Sequence, residues 1–302
     1  MKTFKGKTVF ITGGASGIGL ALAEECCEEG MNVVIADIRR NAIDNAMTVL
    51  GQRKSVLAIE LDVTNREAYE KAVEEAEAKF GNIHILFNNA GIGCARGALW
   101  DASYEQIDLA LNINLSAVLT GIHLVVPRML KHGEGGYVVN TASKAALIAV
   151  PACGLYNLTK QALISLSETL ASDLSGTDVG AAVFLPGPYL SNLGQTSGEI
   201  EQMFLGTLPP GVPPRASGER NRAADFVRPA SDAAKRILQG IKRGDLYIIT
   251  HSEFKEGFEK RTNAMLQAFP DERPNEEFKE LFDILVTNPV FDKQTQVPAL
   301  VN

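Results

Sequence analysis

In the run GLYNLTK, Gly154 to Lys160, Tyr156 stands four residues ahead of Lys160. Side chains four apart on a helix share a face, so the phenol and the ammonium can act on one group. An unperturbed tyrosine titrates at about 10, too high for a base near neutrality. A nearby cation stabilises the phenolate and lowers that value. The pair therefore suits proton transfer to or from a hydroxyl, although one turn of ordinary helix has the same spacing. Ser143 closes an apolar run ahead of it and could donate to an oxygen where negative charge develops. Taken alone, a serine at a strand end is usually a cap, and an asparagine within a helix such as Asn114 often bonds backbone.

A second constellation lies near the N-terminus. TGGASGIG, Thr12 to Gly19, falls between a β-branched run and a helical pattern. Gly13, Gly17 and Gly19 would let the backbone turn tightly and approach a pyrophosphate at the helix N-terminus, where free amides favour anions. The spacing differs from GxGxxG and no GK[ST] follows, which argues against a P-loop. The next strand ends in Asp37, eighteen residues beyond Gly19. An acid there can accept from both adenosine-ribose hydroxyls and repel a 2′-phosphate, so NAD is expected over NADP. Arg39 and Arg40 read as solvated charges at a helix start.

These residues need elements to hold them. KTVFIT, NVVIAD, SVLAIELD, IHILFNN, GYVVNTAS, VGAAVFLPG and DLYIIT read as strands. Helical patterns lie between them, from about Gly17 to Glu29, up to Gly81, from Tyr104 to Leu130 and from Tyr156 to Ser172. Such alternation implies an α/β fold, a doubly wound parallel sheet with helices on both faces, in one domain. The strands are apolar almost throughout, as buried parallel strands are. Residues 1–250 are expected to form the dinucleotide-binding and catalytic part, with 188–230 as a substrate-loop insertion. Residues 251–302 read as a C-terminal helical extension.

In order along residues 7 to 250, these motifs resemble the short-chain dehydrogenase/reductase family. TGGASGIG looks like its cofactor turn, NNAG (Asn88 to Gly91) its motif after the fourth strand, and YNLTK its YxxxK motif. Ser143 precedes Tyr156 by the family's serine–tyrosine interval, INL places Asn114 at its catalytic asparagine, and PG (Pro186, Gly187) follows the sixth strand. The resemblance implies a Rossmann-like oxidoreductase with Asn114, Ser143, Tyr156 and Lys160 as catalytic residues. Its cofactor contacts would be Thr12, Gly13, Ser16, Gly17, Ile18, Gly19, Asp37, Asp62, Val63, Asn89, Ala90, Gly91, Tyr156, Lys160, Pro186, Gly187 and Ser191. Lys160 would bond the nicotinamide ribose, and Asn114 would hold a water joining Lys160 to solvent. The stretch LYIITHSEFKEGFEKR, with the long loop before it, is similar to bacterial enzymes that oxidise aryl or other bulky secondary alcohols, among them Cα-dehydrogenases of lignin-derived aryl ethers. Pairing of subunits through the helices beginning near Tyr104 and Tyr156 is implied as well, as a homodimer or homotetramer.

Composition narrows the partners. The 302 residues carry a net charge of −7 and are 45% hydrophobic, which disfavours nucleic acid and anionic membranes. Cys26, Cys27, Cys94 and Cys153 form no CxxC pair and no zinc-like cluster with histidine, so reduced thiols, no metal and a cytoplasmic setting are expected. The apolar stretch LNINLSAVLTGIHLVVPRML contains asparagines, His123 and Pro127 and reads as a buried helix. Trp100 and Tyr104 are expected to pack, His84 and His123 to be satisfied structural residues, and EECCEEG to be a solvated helix face. Cys153, Leu147, Ile148 and Tyr189 are expected to line a substrate pocket, with Leu190 adding to an apolar wall, and Lys144 to face substrate or solvent. Two rival readings accompany the NAD-dependent alcohol dehydrogenase, an NADPH-dependent ketoreductase of acyl or polyketide type and a non-catalytic nucleotide sensor or scaffold.

Overall fold

The computed structural model describes residues 1, 3–51, 53–94, 96–191, 193–206, 226–283 and 287–295. Seven parallel strands form one sheet: β1 (Thr8–Thr12), β2 (Asn32–Asp37), β3 (Val56–Glu60), β4 (Ile85–Asn88), β5 (Gly136–Thr141), β6 (Val179–Leu185) and β7 (Tyr247–Ile249). Their order is β3-β2-β1-β4-β5-β6-β7, which reverses direction between β1 and β4. Ligands of such sheets bind beyond the strand C-termini at that switch point. Both faces are covered. On one, α1 (Gly17–Glu28), α2 (Arg40–Leu50) and α8 (Ala230–Arg243) bury residues such as Leu22, Ile43 and Ile237 against the strands. On the other, α3 (Arg66–Phe80), α5 (Ala117–His132) and α6 (Gly154–Asp173) bury Tyr69, Val125 and Leu170.

This second face also carries a buried polar chain. The Tyr69 hydroxyl donates to Asn88 Oδ1 (3.5 Å), Asn88 Nδ2 to Asn140 Oδ1 (2.9 Å), and Asn140 Nδ2 to Ser167 Oγ (3.0 Å). Ser167 Oγ donates to the Leu163 carbonyl (2.7 Å), so each link has its partner across β4 and β5. Gly121 of α5 makes room for the chain. A Cβ there would meet Asn88 Oδ1 at 2.5 Å and the Tyr69 hydroxyl at 2.6 Å.

The helix expected from Tyr104 to Leu130 is not continuous. It comprises α4 (Tyr104–Leu111), a wide π turn (Asn112–Ser116) and α5. Such turns are rare and gather at functional sites. Here the turn carries Asn114. Residues 104–132 are long and apolar enough to cross a membrane by composition, but 56% of that window is buried inside the fold. Beyond α6 lie α7 (Leu193–Leu205) and α8, then α9 (Lys255–Leu266), α10 (Glu276–Leu281) and α11 (Val290–Thr295). Most of the Pro/Gly/Arg-rich loop, residues 207–225, lies outside the described residues.

Several packing expectations are corrected. Trp100 and Tyr104 are 87% and 84% exposed among the described residues. His123 also points outward, whereas His84 is buried, with Nδ1 accepting from Thr8 N (3.1 Å) and Nε2 against Glu134 (2.9 Å). Cys26 lies wholly in the core, since EECCEEG turns one side of α1 toward the sheet. All four cysteines are free thiols.

Candidate functional site

A cleft opens at the C-terminal ends of β1, β2, β4 and β5. Its floor begins with the glycine turn. Gly13 (φ +62°) and Gly17 (φ +53°) adopt backbone that side-chain-bearing residues avoid, and a Cβ on Gly13 would lie 2.9 Å from the Ala90 Cα. The turn is thereby pressed against NNAG. Thr12 secures the join: its hydroxyl accepts from Asn89 N (3.0 Å) and Ala90 N (3.1 Å). Asn89 Nδ2 returns bonds to the Thr12 and Gly13 carbonyls, 3.1 Å each.

At one end of the cleft Asp37 terminates β2, 5% exposed, with Ala15 N and Arg39 N directed at its carboxylate. Arg39 is not a solvated helix-start charge. Its side chain is 12% exposed and its guanidinium pairs with Asp37 Oδ1 (3.2 Å). It donates also to Ser16 Oγ (2.8 Å) and Thr196 Oγ1 (3.0 Å). Arg40 does stay in solvent, paired with Asp44 at 3.1 Å.

Tyr156 and Lys160 line the other end. Their spacing on α6 sets Lys160 Nζ 5.7 Å from the Tyr156 ring centre, and the ammonium donates to the Thr141 carbonyl (2.8 Å). Gly91 lets this happen, since a Cβ there would stand 3.2 Å from Nζ and 3.1 Å from Asn114 Oδ1. Burial pushes the Lys160 ammonium down to about 8. It also lifts Tyr156 above its ordinary value, against the Ser143 hydroxyl, which favours the phenolate. Burial is the largest influence on the phenol and sets its direction.

Asn114 stands just behind the cleft wall. Its Oδ1 accepts from Ile92 N (2.8 Å), and Nδ2 donates to the Ile92 carbonyl (3.0 Å) and Thr159 Oγ1 (3.2 Å). The side chain thereby fixes the loop after β4. Ser143 is buried at the end of β5 and caps the following turn through Ala145 N (3.2 Å).

Of the expected cofactor contacts, Gly13, Ser16, Gly17, Ile18, Asp37, Asp62, Val63, Asn89, Ala90, Gly91, Tyr156, Lys160, Pro186 and Ser191 line this cleft. Thr12, Gly19 and Gly187 do not line it. Gly19 closes the glycine turn on the Gly13 carbonyl, and a Cβ on Gly187 would collide with the His251 imidazole. The expected substrate-lining residues scatter. Leu147 lies in a core cluster beneath β6, and Tyr189 joins the core of the α1/α8 face with its ring edge-on to His251 at 5.3 Å. Ile148 meets Gly257 of α9, Leu190 is exposed, and Lys144 sits 5.4 Å over the Phe254 ring. Cys153 is buried at the N-cap of α6, ahead of Tyr156.

Sequence reading placed a substrate-loop insertion at 188–230 but named neither the helix within it nor its cleft-facing residues. Leu193, Thr196, Ile200 and Phe204 of α7 line the cleft, and Ser197 Oγ accepts from Gly93 N (2.8 Å). The signal was present as a stripe, 193/196/197/200/204, at helical spacing. Among the described residues no group of histidine, cysteine and carboxylate side chains could hold a metal.

The residues present fit a dinucleotide: a turn too tight for a Cβ, a buried acid at one end and a tyrosine–lysine pair at the other. Comparison with known proteins agrees. The family model described as short chain dehydrogenase matches residues 7–202. A Cα-dehydrogenase of Sphingobium sp. (strain NBRC 103272 / SYK-6) is 30% identical over 269 residues, 89% of this chain and 88% of that one. A CLA biosynthesis dehydrogenase/reductase of Lactiplantibacillus plantarum is 29% identical, covering 88% and 95%. A short chain dehydrogenase/reductase from Burkholderia phymatum, solved in complex with NAD, superposes with a TM-score of 0.75 at 31% identity, over 91% of this chain and all of that one.

Proposed function

The chain belongs to the short-chain dehydrogenase family, and we propose that within it this protein oxidises a bulky, apolar or aryl-substituted secondary alcohol, with NAD as its cofactor and Tyr156 as the acid/base. The observation that carries this reading is one cleft lined by Asp37 at one end and by Tyr156 and Lys160 at the other. Bound NAD would accept the hydride. Asp37 would accept from the ribose hydroxyls, and the turn from Gly13 to Gly19 would hold the diphosphate at the start of α1. Ser143 would donate to the substrate oxygen and Tyr156 would take its proton. Because burial holds the Tyr156 phenol high, its activation needs the cation of Lys160 together with the positive charge that a bound oxidised cofactor brings.

The walls support an apolar substrate, since Ile92, Ile113, Ile200 and Phe204 border the cleft. The Sphingobium relative's name, a Cα-dehydrogenase, points the same way. Arg39 beside Asp37 favours one second reading, a ketoreductase using NADPH. A panel of secondary alcohols, from small aliphatic to aryl-substituted, followed by NADH absorbance with NADP⁺ in parallel, separates the two. Turnover of bulky aryl alcohols with NAD⁺ is expected; activity only in reduction with NADPH would replace this reading with the second.

Self-association is part of the same proposal. Trp100, Tyr104, Leu119 and Leu158 present large apolar side chains to solvent on and around α4, α5 and α6, and such exposure marks association surfaces. Sedimentation of the wild type beside Trp100→Ser tests it: an oligomer weakened by the substitution is expected.

A further inference from the structure

Arg39 makes more contacts than recognition of a ribose requires. Its guanidinium joins three segments that are distant in sequence: Ser16 in the glycine turn, Asp37 at the end of β2, and α7. The link to α7 is double, with Nη1 donating to Thr196 Oγ1 at 3.0 Å and lying 3.6 Å from Glu199 Oε2. Three residues apart, Thr196 and Glu199 share one side of the helix, so both face the same planar fork. The helix they belong to also contributes Leu193, Ile200 and Phe204 to the cleft. A further polar tie of the helix, from Gly93 N to Ser197 Oγ at 2.8 Å, reaches the loop beside Ile92, whose backbone Asn114 holds. Charge-assisted bonds in a partly desolvated place are strong and directional, and they hold this helix at the nucleotide end.

We propose that Arg39 is a positioning residue that latches α7 over the nucleotide cleft through Thr196 and Glu199. The inference rests on the reading of that cleft as a nicotinamide-dinucleotide site. While Asp37 is its counter-ion, the guanidinium stays on the helix side of the cleft and the helix stays down. A nucleotide leaving the cleft must pass under α7, so release is slow as long as the latch holds. Discrimination among cofactors follows from the same geometry: a 2′-phosphate would compete with Thr196 and Glu199 for the fork and loosen the helix.

The test combines nucleotide release with exchange of the helix amides. NADH release is followed by stopped-flow fluorescence in wild type, Thr196→Val/Glu199→Gln, Arg39→Met and the triple variant. The helix-side double variant keeps Asp37, Arg39 and Ser16 and should release NADH about tenfold faster, the loss of one charge-assisted bond. Arg39→Met should do the same, and the triple variant should be no faster than Arg39→Met, because both changes remove one link. Wild-type release from the double variant, or full additivity in the triple, overturns the latch. Hydrogen exchange of the α7 amides, measured without nucleotide, is the independent readout. Faster exchange across residues 193–205 in both Arg39→Met and the double variant is expected, and unchanged exchange in both overturns the proposal. A wild type that binds neither NADH nor NADPH would instead sink the dinucleotide reading, with exchange still deciding the latch.

Discussion

At the scale of single residues, the site separates into groups that touch the cleft and groups that hold those in place. Tyr156 is of the first kind, and Tyr156→Phe should abolish turnover while leaving NADH affinity within a few-fold, since the ring and its packing remain; NADH titration beside an activity assay checks it. Asp37→Ala should weaken NAD and relax discrimination against NADP, measured as the ratio of the two dissociation constants; an unchanged ratio would show that Arg39 alone sets preference. Lys160 carries a pH signature. Burial lowers it from 10.5 to about 8 in the folded chain. Below about 8 the folded and unfolded states both hold the proton, and the folded state bears the whole cost of burying a cation. Between about 8 and 10.5 only the unfolded state binds the proton, so stability contributed at this position rises with pH. The unfolding temperature of wild type relative to Lys160→Met should therefore climb through that window, while Lys160→Met remains inactive throughout. A flat difference would mean that Lys160 is better solvated than its 4% exposure implies.

Elements decide which of these residues meet. Strand–helix alternation was legible because every strand is an apolar run bounded by turn residues, and a parallel sheet buried on both faces demands that pattern. The polar strand ends were legible for a related reason: Asp37 and NNAG, which border the cleft, and Ser143 are polar residues where apolar strands stop. The π turn at Asn112–Ser116 left no comparable trace, because a single inserted residue hardly disturbs helical periodicity. Arg39 was misread because proximity in sequence to Arg40 suggested a shared fate, whereas its partner Thr196 on α7 lies 157 residues away. The outward-facing Trp100 and Tyr104 were misread because apolar character signals burial without saying against what. Packing between elements gives the sharpest stability prediction. Gly121 lets α5 approach β4 and α3 over the Tyr69–Asn88–Asn140–Ser167 chain. Gly121→Ala places a methyl group against two fully buried polar groups and should cost about 1–3 kcal/mol by overpacking, read from urea unfolding. Helix propensity alone would make alanine stabilising by about 1 kcal/mol, so the sign of the change decides whether the polar chain is as tightly held as it looks.

For the molecule as a whole, the open question in any unclosed sheet is what becomes of its edges, whose unpaired amides recruit other strands. Here the β7 edge is covered by the chain's own distant segment. Gln294 Oε1 of α11 accepts from Leu246 N (2.8 Å) and Tyr247 N (3.0 Å), so one side-chain amide caps the start of that edge. Val290 on the same helix is buried with the core that lies over β6, α6 and α3, and the Tyr247 hydroxyl donates to Glu168 of α6 at 2.6 Å. The segment after β7 thus ties the last strand to α6, the helix that carries Tyr156 and Lys160. Sequence reading could not reach this, because a glutamine among the last residues has no local pattern that names its partner. Gln294→Ala should cost about 1 kcal/mol for the lost acceptor, while turnover of the folded protein stays at the wild-type level because no atom near Tyr156 changes. Heating should also aggregate the variant sooner, through a β7 edge left free to pair. Should Gln294→Ala lower turnover without lowering stability, the segment would be acting on the catalytic end of α6, and its hold on Tyr247 and Glu168 would be the route.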